Sequence, residues 1–167
     1  MKTEGQQTDN IANSETKDKK RLMSIEPNEL SFTFCHNNVR VNQIVLPIGY
    51  NSIAVGYFKH TIPTVSEVDY AINVIEDALM SNKALVNNSE QLYASSALLS
   101  GLLIANVGAK NVFSRQEIEE LFTQYANVSM GVPQLRYGIE VNSIDFALLL
   151  LVRETMHHLN FEQLQCS

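Results

Sequence analysis

From Glu29 onward the apolar residues fall at every second position. Leu30, Phe32 and Phe34 alternate with Ser31, Thr33 and Cys35, the spacing of a strand with one buried face. His36-Asn37-Asn38 supplies a turn, because asparagine tolerates positive φ, and Val39 to Leu46 reads as a second strand closed by Pro47 to Asn51. Ser52 to Phe58 is expected to form a third strand, with Gly56 inside it marking a bulge or a close backbone approach. Connections this short make neighbours antiparallel. The domain should open on a three-stranded antiparallel meander.

After Pro63 the period becomes helical. Val65, Val68, Ala71, Ile72, Ile75, Ala78 and Leu79 recur at i, i+3, i+4 and i+7, with Glu67, Asp69, Asn73, Glu76 and Asp77 opposite them. Thr64 and Glu67 have the spacing of a capping box. A second helix is expected from about Ser89 to Ala105, rich in small side chains between Ala94 and Gly101. Ser114 and Glu117 form another capping box, ahead of a stripe of Ile118, Leu121, Phe122 and Tyr125. Leu135, Tyr137, Ile139 and Val141 alternate with polar residues and Gly138, which suggests a short strand. A last helix, capped by Asn142 or Ser143, runs to about Leu159. Its apolar run Phe146 to Val152 marks it as buried on most sides.

Strands first and helices after them define an α+β fold: the meander followed by about four helices packed on it. All four prolines fall at element boundaries. Residues 1–24 offer almost nothing to bury and are expected to be disordered. The organisation is therefore a flexible N-terminal arm over 1–28 and a single globular α+β domain over 29–167.

Charge then narrows the partners. The net charge is −6. Bases and acids cancel within the arm, so the surplus of acids belongs to the globular part. Such a body repels phosphate backbones and anionic lipid, and neither a nucleic-acid partner nor a membrane is expected. The basic cluster Lys17-Asp18-Lys19-Lys20-Arg21 is read as a solvated run at the domain edge. The start of the chain lacks an apolar signal region, and no run approaches the length of a membrane span. Cys35 and Cys166 match no metal or redox spacing and fit a reduced, cytoplasmic protein.

Candidate chemistry is sparse. Glu154 stands three and four residues before His157 and His158, so a carboxylate and an imidazole can share one helix face at the end of the last helix. A lone Glu-x-x-His lacks the second motif and extra carboxylates of a di-iron bundle. Histidines in a last turn also suit the negative helix end without any ligand. Tyr50, Tyr57, Phe58, Lys59 and His60 interleave aromatics with a base, a pattern that can stack a planar ligand but equally suits sheet packing. No glycine-rich phosphate loop or nucleophile motif is present, and no cofactor is predicted.

Two readings follow. In the first, the protein is non-enzymatic and works by association, as a homo-oligomer or with a protein partner, through its small-residue helix, its apolar last helix and its open sheet edges. The alternative is a small-molecule-binding protein or enzyme, with Glu154, His157 and His158 as ligand-binding or metal-ligating groups.

Overall fold

The computed structural model describes residues 19–87 and 89–167. Residues 1–18 of the expected arm lie outside them. The fold is α+β: among the described residues a six-stranded mixed sheet carries five α-helices.

Three antiparallel strands do open the fold, but they begin earlier in the chain than expected. They are β1 (Lys19–Ile25), β2 (Leu30–His36) and β3 (Val39–Leu46). Disorder therefore does not extend to residue 24. Arg21, Met23 and Ile25 alternate with Lys20, Leu22 and Ser24, and the first three are all buried. An arginine on the core face disguised this period of two as a charge run.

The expected third strand is a helix, α1 (Tyr50–Tyr57). Valine, isoleucine and tyrosine favour strands in general, yet Tyr50, Ile53, Ala54 and Tyr57 lie at i, i+3, i+4 and i+7, and Ile53 and Ala54 are buried. The first turn is secured from outside the helix. Tyr50 donates its amide to the Glu26 carbonyl at 3.2 Å, and Asn51 and Ser52 donate to the Pro27 carbonyl at 2.9 and 3.0 Å. Amides that a helix start leaves unpaired are thus satisfied by the β1–β2 turn.

Helix α2 (Val65–Met80) carries the expected capping box of Thr64 and Glu67. Burial alone would raise the Glu67 carboxyl. The amides of Thr64 and Lys59, with His60, outweigh that and hold it at about 2. The expected helix over 89–105 divides into β4 (Gln91–Ala94) and α3 (Ala97–Asn106), because Leu92 and Ala94 enter the sheet and Ser96 then caps the helix at Leu99. Next come β5 (Val112–Ser114) and α4 (Arg115–Ser129), the latter opened by the box of Ser114 and Glu117.

The suggested strand over 135–141 is absent. A single 3-10 turn covers Gln134–Arg136, Leu135 is 91% exposed, and Gly138 has φ +64°. Helix α5 (Ser143–His158) is capped by Asn142, and every residue from Phe146 to Val152 is buried. It touches α1, α2, α3 and α4, so its apolar circumference is met by helices on several sides. The chain ends in β6 (Gln163–Cys166).

Strand order is β3-β2-β1-β4-β6-β5. Strands β1, β4 and β6 run parallel, while β2, β3 and β5 run against their neighbours. Among the described residues no helix is long and apolar enough to cross a membrane.

Candidate functional site

The strand order contains a reversal. From β1 the chain builds outward through β2 and β3, then returns to place β4 on the other side of β1. Ligands of open sheets collect outside the carboxyl ends of parallel strands, at such a reversal. Here those ends are Ile25, Ala94 and Cys166. What lies beyond them is the turn Glu26-Pro27-Asn28-Glu29, the start of α3 at Ser95 and Ser96, and the terminal Ser167.

These segments are tied together. Glu26 donates its amide to the Glu29 carbonyl at 2.8 Å, and Ser95 donates to the Met23 carbonyl at 3.2 Å. Gly49 permits the turn to lie against α1. A β-carbon there would meet the Glu26 carbonyl and stand 2.6 Å from the amides of Asn28 and Glu29. Ser24 Oγ donates to Glu26 Oε1 at 2.9 Å. Ser96 Oγ accepts from the Leu99 amide, while the Ser95 side chain is exposed. The amides of Ala97 and Leu98, in the first turn of α3, have no intrahelical acceptor.

This end therefore offers hydroxyl and amide donors together with the exposed carboxylates of Glu26 and Glu29. Segments 24–29, 49–52, 94–98 and 167 contain no lysine, arginine or histidine. It can orient an oxygen-rich ligand, but it does not by itself neutralise an anion.

The residues singled out at the end of α5 are arranged differently. Glu154 is buried, and both of its oxygens are engaged: Oε1 accepts from Arg153 Nη1 at 2.5 Å, and Oε2 lies 3.0 Å from His158 Nε2. Arg153 Nε donates to both Glu119 oxygens, at 3.2 and 3.0 Å, and its guanidinium lies 4.3 Å from the Phe122 ring. His158 Nδ1 lies 4.0 Å from Glu76. Burial pulls the Arg153 guanidinium down, but Glu154 and Glu119 more than reverse that. Glu154 and His158 are thus brought together in a chain of polar side chains that joins α2, α4 and α5. His157 is exposed, and its ring meets that of His158 edge-on at 5.1 Å. Among the described residues no group of three or more His, Cys, Asp and Glu side chains is placed to hold a metal ion.

The aromatic segment does not form a stacking platform. Phe58 is buried with its ring 5.9 Å from Phe146, Tyr57 meets Tyr70 at 5.4 Å, and His60 lies against Glu67 at 3.0 Å.

No family model matches the sequence, and no curated protein does. Solved structures do match the fold. An Aquifex aeolicus Ppx/GppA enzyme superposes with a TM-score of 0.71 at 15% identity, covering 89% of this chain and 53% of that one. The fold is shared with about half of this Ppx/GppA structure. An exopolyphosphatase from Cytophaga hutchinsonii gives a TM-score of 0.67 at 14% identity, over 90% of this chain and 54% of that one. An exopolyphosphatase-like protein gives 0.67 at 9% identity, over 94% of this chain and 59% of that one. The chain spans a little more than half the length of these structures.

The likeness corrects the association reading. Structures that share this fold include ones named as an enzyme, a phosphatase and an exopolyphosphatase, which favours the alternative of a ligand-binding protein or enzyme over a non-enzymatic protein that works by self-association. The reversal point beside β1 and β4 went unnoticed in the sequence because both strands were missed. The alternation of Met23 with Ile25 and of Leu92 with Ala94 was the available signal.

Proposed function

We propose that this chain forms one half of a Ppx/GppA-type phosphatase and that a phosphate-bearing substrate lies at the carboxyl ends of β1 and β4. The observation that carries this reading is the likeness across about nine-tenths of the chain to proteins named as exopolyphosphatases and phosphatases. The strand reversal supports the location.

In this reading the Ser95 hydroxyl and the amides of Ala97 and Leu98 donate to phosphate oxygens, as helix starts do for anions. The Glu26 carboxylate accepts the proton of the attacking water. Phosphoryl transfer also needs positive charge placed against the oxygens of the transferred group. This end of the chain carries none, so the bases come from the complementary half of such an enzyme. The free thiols of Cys35 and Cys166 suit a reducing cytoplasm.

Calorimetric titration with tripolyphosphate tests the reading. Without the complementary bases the chain binds weakly, and Ser95→Ala weakens binding about tenfold or more, the loss of one hydrogen bond to a charged group. No binding, or binding indifferent to Ser95→Ala, contradicts it.

A further inference from the structure

At the amino end of β1, one strand length from the carboxyl-end site, lies an open cleft of about 370 Å³. We infer that this cleft binds a small carboxylate with an apolar body, seated on the Arg21 guanidinium beside Phe34. Lys19 and His36 stand exposed at its rim, Phe34 and Val41 line its walls, and Arg21 and Glu90 complete it.

Arg21 is the observation that points to a ligand. It is 1% exposed, yet its donors are incompletely used. Nη1 donates to the Leu85 carbonyl at 2.6 Å and Nη2 to Glu90, while Nε has no partner among the described residues. An unpaired buried donor is costly, and a second acceptor removes that cost. Burial pulls the guanidinium below its ordinary value, and Glu90 only partly offsets this.

The chemistry of the ligand follows from the neighbours. The fork already holds one carboxylate, that of Glu90, and planar carboxylates match its geometry. Lys19 and Arg21 face a single acid, the reverse of the balance over the rest of the body. The guanidinium carbon lies 3.9 Å from the centre of the Phe34 ring, and Val41 is 63% exposed, so an apolar body gains contact there. Glu90 also lines a neighbouring cleft of about 350 Å³, into which its side chain can turn when a ligand displaces it. The inference is independent of phosphatase activity.

The test is a titration of the ¹⁵N-labelled chain with benzoate, with inorganic phosphate in parallel. Saturable amide shifts are expected at Lys19 to Leu22, Phe34 to His36 and Glu90, and none at Glu26 to Glu29. Glu90→Gln removes the competing carboxylate and tightens benzoate about tenfold. Absent shifts, shifts elsewhere, an unchanged affinity in Glu90→Gln, or phosphate binding there without benzoate would each overturn the inference. Should Glu90→Gln fail to fold, Lys19→Ala with His36→Ala decides: weaker benzoate binding supports the site and unchanged binding overturns it.

Discussion

Gly49 is packed so closely on the β1–β2 turn that a β-carbon at this position would stand 2.6 Å from the amide nitrogen of Asn28. Its backbone is extended, with φ −145° and ψ 178°, so the need for glycine is one of space and not of conformation. Gly49→Ala forces the turn and α1 apart, at a cost of about 1–3 kcal/mol. Denaturant unfolding measures it. If the turn orients the site, the same variant loses tripolyphosphate binding while still folded.

Thr64→Ala removes the side-chain acceptor of the α2 capping box and costs about 1 kcal/mol, read as a lowered midpoint of unfolding. Glu67 gives the box a pH signature. Its carboxyl is held at about 2, below the 4.5 of the free group. Its contribution is fully present above 4.5 and is lost as pH falls through 4.5 towards 2. Glu67→Gln therefore flattens that part of the stability profile, and an identical slope in both proteins would count against the arrangement.

Glu154→Ala leaves the half-buried Arg153 without one of its two carboxylates and His158 without its hydrogen-bond partner. The loss is about 3 kcal/mol, seen as a large fall in melting temperature. His157→Ala removes none of these hydrogen bonds, only an exposed edge-on contact with His158, and changes stability by less than about 0.5 kcal/mol. Equal effects of the two variants would mean that the polar chain joining α2, α4 and α5 does not hold the helices.

The parts of the fold legible in the sequence are those where one local signal acts alone. The capping boxes at Thr64 and Ser114 and the apolar run of α5 are of this kind, as is the alternation in β2. The misread segments are those settled by distant partners. Tyr50 to Tyr57 is helical because carbonyls of the β1–β2 turn receive its first amides, although the Tyr50, Ile53, Ala54, Tyr57 spacing was there to be counted. Arg21 passed for a surface charge because its partners, Leu85 and Glu90, lie more than sixty residues away. Helical spacing sets Glu154 four residues before His158, and the two side chains meet at 3.0 Å. That both Glu154 oxygens are occupied depends on Arg153 and on helices the motif does not mention. The reversal beside β1 and β4 was hidden for the same reason: it is a property of strand order, which local pattern does not encode.

The most direct test of a phosphate-bearing substrate at the reversal point is to map amide shifts as tripolyphosphate is added to the ¹⁵N-labelled protein. Saturable shifts confined to Glu26 to Glu29 and Ser95 to Leu99, reduced in Ser95→Ala, are the predicted result. Shifts centred at the end of α5 around His157 and His158, or none at all, would contradict it.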